Sequence, residues 1–221
     1  MSRGAEKPLE PDRFEALLRE RASSSGLLPL QGIRDLAAYL AELDRWRRRM
    51  NLTGRLSSEE LADHALESLA GLEAIAQGSR LVDVGSGAGF PGLPIGIVRP
   101  DVFATLAEPR AKRAAFLRHA VRKLQLPRIT VFEGRIEDSP DRYDVGVTRA
   151  VGGFDRWLAS PSFLRKEAVL LLWTALAASR MHDIDEGHDR QRFYRIALAI
   201  SNFKNAKYGR EYALLEDPAS V

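Results

Sequence analysis

Residues 81–92 read Leu-Val-Asp-Val-Gly-Ser-Gly-Ala-Gly-Phe-Pro-Gly. An apolar run carrying one acid, Asp83, breaks into Gly85, Gly87, Gly89 and Gly92. A buried strand that runs into a turn only glycine can make is how open α/β sheets form a ligand crevice at their strand ends. From Arg80 onward, short apolar runs alternate with helical segments. Leu81–Val84, Val102–Ala107, Ile129–Phe132, Tyr143–Val147 and Ala168–Trp173 are the predicted strands. Pro91–Val98, Arg110–Leu124 and Gly153–Leu164 are the predicted helices between them. This alternation predicts a mostly parallel sheet covered on both faces. Two later runs, Tyr194–Ile200 and Arg210–Glu216, are expected to pair as an antiparallel hairpin at the sheet edge, which makes seven strands.

The chain before Arg80 has helical spacing instead. A first helix follows Asp12 as N-cap, with Phe14, Leu17 and Leu18 as its apolar stripe, and ends at Ser23 to Gly26. A second is expected over Gly32–Met50, and a third over Ser58–Ala76. The predicted organisation is a helical extension over residues 1–76 and an α/β domain over 77–221, packed as one unit. Arg45, Arg47, Arg48 and Arg49 crowd the last turns of the second helix. They suit either its C-terminal dipole or an RNA backbone.

Composition removes several chemistries. The 221 residues contain no cysteine, so disulfides, thiolate metal sites and thiol catalysis are excluded. Four scattered histidines, His64, His119, His182 and His188, show no familiar metal spacing, and no metal is expected. Lys and Arg number 33 against 30 acids, a net charge of +3 that permits a polyanionic partner. No apolar run reaches the roughly 18 residues of a membrane span. A monomeric, cytoplasmic protein without membrane contact is the expectation.

The spacing of the glycines narrows the ligand. A dinucleotide fingerprint, G-x-G-x-x-G, would put its third glycine at position 90, where this chain has Phe90. The form present is G-x-G-x-G, with Asp83 two residues before it. That suits S-adenosylmethionine, which has no pyrophosphate but carries an α-amino group for which a strand-end carboxylate is a natural partner. Glu108, at the end of the next strand, can accept hydrogen bonds from ribose hydroxyls in either cofactor class. The turn Glu133-Gly134-Arg135-Ile136-Glu137 after the third strand can meet an adenine edge. A nicotinamide dehydrogenase is the weaker reading.

The acceptor is narrowed by what is missing. A pyrimidine C5 acceptor needs a covalent nucleophile, usually cysteine. Exocyclic amines are often held by an Asn/Asp-Pro-Pro-Tyr/Phe loop after the fourth strand, where this chain has Thr148-Arg149-Ala150-Val151. Guanine N7 is an exposed lone pair with no proton to lose, so its methylation needs alignment and a polar cradle, not a general base.

These residues together resemble the RsmG (GidB) type of bacterial 16S ribosomal RNA guanine-N7 methyltransferase. The similarity runs through Trp46 and Asn51-Leu52-Thr53, His64 and Ser68, and the whole of Asp83 to Gly92. It continues at Pro94, Arg99-Pro100, Lys112-Arg113, Phe116-Leu117, Gly134-Arg135, Glu137 and Arg149-Ala150. The resemblance implies a Rossmann-like methyltransferase fold that binds S-adenosylmethionine and acts on 16S ribosomal RNA or the small ribosomal subunit. It implies Gly85, Phe90, Ile136, Glu137 and Arg149 as cofactor positions, beside Asp83, Ser86, Gly87 and Glu108 from the turn itself. Asn51, Arg135 and Arg149 would line the methyl-transfer site. The chain also departs from the family. Asp63 and Glu67 replace a basic residue and an aspartate, and Leu172-Trp173-Thr174 replaces Leu-Lys-Gly. The missing lysine, with an indole at Trp173 that blocks or reshapes the acceptor pocket, would leave a cofactor-binding homologue that is non-catalytic, or one that methylates another acceptor.

Overall fold

The computed structural model describes residues 8–22, 28–149, 162–174, 194–200 and 212–214. Three helices come first: α1 (Pro11–Ala22), α2 (Leu30–Arg47) and α3 (Ser58–Glu67). The sheet follows as β1 (Arg80–Val84), β2 (Phe103–Ala107), β3 (Ile129–Phe132), β4 (Tyr143–Arg149), β5 (Leu164–Thr174), β6 (Tyr194–Ile200) and β7 (Tyr212–Leu214). Helix α4 (Gly92–Val98) links β1 to β2, and α5 (Ala111–Lys123) links β2 to β3. The strand order is β3-β2-β1-β4-β5-β6-β7. All pairs are parallel except β6 with β7, which is the expected antiparallel edge hairpin. The order reverses at β1, between β2 and β4, and that switch point is where a doubly wound sheet opens its ligand crevice.

Several boundaries differ from those the sequence predicts, each for a local reason. Asp12 lies in the first turn of α1, whose helix begins one residue earlier at Pro11, a residue suited to a first helical position. Helix α2 ends at Arg47, and beyond it the amides of Arg49 and Met50 both donate to the Trp46 carbonyl. Helix α3 ends at Glu67 and not Ala76. Ser68 caps it, and Gly71 enters the left-handed region at φ 83° before a short 3-10 turn, Leu72–Ala74. Its start is better defined: Ser57 and Glu60 form a reciprocal capping box. Leu164 is the first residue of β5 and not the last of a helix. The rest of that predicted helix lies largely outside the described residues, as does Ala150.

The core crosses from the helical extension into the sheet. Phe14, Leu18, Leu36, Leu40 and Leu43 from α1 and α2 share one buried cluster with Leu93 of α4, Phe116 of α5 and Leu81, Leu106, Val147 and Trp173 of the strands. Val82, Val84, Leu170 and Leu172 alternate to the opposite face and join Tyr143 and Phe163 in a second cluster. Each fully buried large side chain of this kind contributes roughly 1.5–3 kcal/mol. Arg99 adds a polar clasp between the two parts. It donates to the carbonyls of Leu72 and Ile75 at 3.3 and 3.0 Å while pairing with Asp101 at 2.7 Å. Among the described residues no helix is long and apolar enough to cross a membrane.

Candidate active site

The glycine turn is tied down from three sides. The amides of Gly85 and Ser86 both donate to the carbonyl of Ala107, at 2.9 and 3.1 Å, so the turn hangs from the end of β2. Glu108, only 3% exposed, accepts from Gly87 N with one oxygen and from Arg110 N with the other, each at 2.9 Å. Ser86 Oγ donates to the Asp83 carbonyl at 3.0 Å. Gly87 and Gly89 sit at φ 57° and 107°, where a side chain would be strained. Gly92 is required for a different reason. A Cβ there would lie 2.6 Å from both Asp83 Cβ and Leu106 Cδ2.

Asp83 is completely buried. Its Oδ2 accepts from Gly92 N at 3.0 Å, while Oδ1 has no partner. Burial pushes its pKa up to about 7, against the lowering effect of the Gly92 N–H. The acid the sequence offers as a ligand partner therefore also anchors the first turn of α4, and one oxygen is left to interact with something else.

Phe90 is the hub of the other wall. Tyr39 from α2 meets its ring edge-on at 5.7 Å, and Tyr39 Oη donates to the Ala88 carbonyl at 2.7 Å. The His64 ring lies 6.0 Å away and the Arg149 guanidinium 5.9 Å over the ring. Arg149, at the end of β4, donates from Nη1 to Glu67 Oε2 at 2.8 Å and also contacts His64 Nδ1. Its Nε is buried without a partner. Burial lowers the Arg149 pKa, and the facing Glu67 opposes that shift. Burial would raise the pKa of Glu67, but hydrogen bonds with His64 and Arg149 outweigh it and hold the carboxyl below its ordinary value.

The sequence-predicted residues thus divide. Asp83, Gly85, Ser86, Gly87, Phe90, Glu108 and Arg149 converge at the ends of β1, β2 and β4. Ile136 is buried and Glu137 exposed on a 3-10 turn just after β3. Arg135 is exposed immediately before it. Asn51 is exposed in the α2–α3 loop, where its Oδ1 accepts from Gly54 N at 3.1 Å. Among the described residues no hydrogen bond links Asn51 or Arg135 to Arg149. Three of the clustered arginines are used internally: Arg47 and Arg48 pair with the fully buried Asp44, and Arg45 with Glu10 and Glu42. The sequence patterns do not single out Tyr39, although its i+3 spacing from Leu36 places it on the buried face of α2.

The profile of the family described as rRNA small subunit methyltransferase G matches residues 32–193. The chain belongs to that family. Proteins named ribosomal RNA small subunit methyltransferase G are among its relatives. One from Desulfotalea psychrophila is 42% identical over 131 residues, covering 56% of this chain and 60% of that protein. One from Roseiflexus castenholzii is 42% identical over 148 residues, 62% of each chain. One from Xanthomonas euvesicatoria is 41% identical over 146 residues, 65% of this chain and 68% of that protein. The chain therefore spans about 60% of the length of the first of these relatives.

Within the family, the departures at 63, 67 and 173 have structural roles here. Asp63 pairs with Arg21 of α1 at 2.5 Å, so it joins two helices of the extension. Glu67 is the counter-charge of Arg149. Trp173 is 2% exposed, and its Nε1 donates to the Glu67 carbonyl at 2.8 Å. The indole braces the end of α3 from inside the core.

Proposed function

We propose that this protein is an S-adenosylmethionine-dependent methyltransferase that transfers a methyl group to N7 of a guanine in 16S ribosomal RNA. The observation that carries the cofactor assignment is a complementary pair of unsatisfied buried atoms, Asp83 Oδ1 and Arg149 Nε. One is an acceptor suited to an ammonium and the other a donor suited to a carboxylate, and the amino-acid end of S-adenosylmethionine carries both. The bound cofactor supplies a methyl group made electrophilic by its sulfonium. Asp83 and the Gly85–Gly89 turn hold the amino-acid end. Glu108 is spaced for the ribose, with Ile136 and Glu137 at the adenine edge. Asn51, Arg135 and Arg149 orient the guanine and its backbone.

The residues at the site suit an acceptor that needs no deprotonation. N7 attacks with its own lone pair and carries a positive charge afterwards, so the protein's task is alignment and not general-base catalysis. Family membership supports the small-subunit RNA as substrate. The same reading makes the protein a cytoplasmic monomer that meets the small ribosomal subunit. It treats residues 1–76 and 77–221 as one packed unit. The test is to incubate protein and S-adenosylmethionine with small ribosomal particles and map methylated guanines. N7-methylguanine at a defined position is the expected result. Tight cofactor binding with no N7 methylation would overturn the RNA assignment.

A further inference from the structure

One arginine and two carboxylates share the wall of this site. Arg149 pairs with Glu67 at 2.8 Å and is also electrostatically coupled to Asp83. Glu67 has the arginine, and Asp83 keeps a free oxygen. That outcome is built into the extension. Trp173 Nε1 fixes the Glu67 carbonyl at 2.8 Å, and Ser68 Oγ locks the same helix end by donating to the His64 carbonyl at 2.6 Å. The Glu67 side chain is 6% exposed and that of Arg149 14%, so neither ion can turn to water for compensation. Without Glu67, Arg149 would keep only its contacts with the ring and carbonyl of His64, and Asp83 Oδ1, the buried, unpartnered carboxylate oxygen among the described residues, would draw the guanidinium.

We infer that Glu67 is the positioning residue of the cofactor site, holding Arg149 off Asp83 so that the two opposite charges stay available to a ligand instead of neutralising each other. This rests on the S-adenosylmethionine reading, whose amino-acid end presents one charge to each. The role belongs to α3, a helix outside the sheet that carries the glycine turn. On this reading Glu67 does not touch the ligand, yet it decides whether Asp83 can.

The test is calorimetric titration of S-adenosylmethionine into the full chain and into Glu67→Gln, Arg149→Gln and the double variant, with folding checked by circular dichroism. Glu67→Gln should weaken binding at least about tenfold, and the double variant should bind no worse than Arg149→Gln alone, because the loss runs through Arg149. Glu67→Asp keeps the charge and should bind within about threefold of wild type. Unchanged affinity in Glu67→Gln, losses that multiply in the double variant, or a Glu67→Asp loss as large as that of Glu67→Gln overturns the inference. Wild-type protein that fails to bind S-adenosylmethionine overturns the cofactor reading itself, a separate result. If Glu67→Gln does not fold, the 15Nε resonance of Arg149 in wild type decides. A shift on adding S-adenosylmethionine supports the free donor the inference requires, and no shift overturns it.

Discussion

Tyr39, on the second helix of the extension, donates its phenolic hydrogen to the carbonyl of Ala88 in the glycine turn at 2.7 Å. The residue is completely buried, and burial raises its pKa well above the ordinary tyrosine value, so it stays a neutral donor throughout the working pH range. Its ring also packs edge-on against Phe90. The helices before the sheet are therefore part of the glycine turn's support.

Tyr39→Phe keeps the ring contact and removes the donor. The Ala88 carbonyl is then left unsatisfied in a dry site, which costs about 1–3 kcal/mol. Lowered urea midpoints and weaker S-adenosylmethionine binding are expected, with the fold unchanged by circular dichroism. A variant as stable as wild type would show that water replaces the hydroxyl.

Asp83 makes stability depend on pH. Its folded pKa of about 7 lies above the ordinary 3.8, so the fold favours the protonated acid. Below about pH 4 the acid is neutral in both states and this contribution is complete. As pH rises the unfolded chain ionises first, and stability falls until about pH 7, by at most about 4 kcal/mol. Asp83→Asn retains an acceptor for Gly92 N–H and cannot ionise, so the difference between urea midpoints at pH 5 and pH 8 should shrink. Equal slopes in both proteins would contradict the assignment.

The same acid should couple cofactor binding to protons. A ligand ammonium beside Asp83 favours the ionised form, so S-adenosylmethionine affinity should rise between pH 6 and pH 8. Titrations in buffers of different ionisation enthalpy should reveal proton release near pH 6. Binding without proton release would place the ammonium elsewhere.

Gly92→Ala should be strongly damaging to the site. Its Cβ would lie 2.6 Å from Asp83 Cβ and Leu106 Cδ2, and Asp83 Cβ is fixed by the backbone of β1. Overpacking of this kind costs about 1–3 kcal/mol or more. Loss of cofactor binding together with a large drop in melting temperature is expected. A stable variant that still binds would mean that α4 can move away from β1.

Trp173→Phe separates the indole's bulk from its hydrogen bond. The Glu67 carbonyl loses its donor, at a cost of about 1–3 kcal/mol. If Trp173 braces α3 as described, S-adenosylmethionine affinity falls along with thermal stability. An acceptor-blocking indole would behave differently, since the smaller ring would raise methylation of small ribosomal particles.

The glycine turn was legible in the sequence because its constraints are local. Glycine spacing, the acid two residues ahead and the apolar run before it all act within twelve residues, and the alternation of strand and helix follows from side-chain periodicity. The same locality made the edge hairpin readable, and misled where one residue breaks a pattern. Gly71 ends the third helical region at a point its hydrophobic spacing does not reveal.

Which charges meet is a matter of long-range packing. Arg45, Arg47 and Arg48 formed a basic cluster suited to RNA, yet each has an acid partner within the fold. Glu67 and Trp173 looked like departures on the acceptor side and turned out to hold Arg149 and the end of α3. Their partners lie 82 and 106 residues away along the chain. The sheet, the glycine turn and the acid at its root follow from local sequence pattern alone. Which oxygen and which nitrogen remain free at that turn depends on the burial and pairing of groups far apart in sequence, because a buried charge is governed by its nearest neighbours in space.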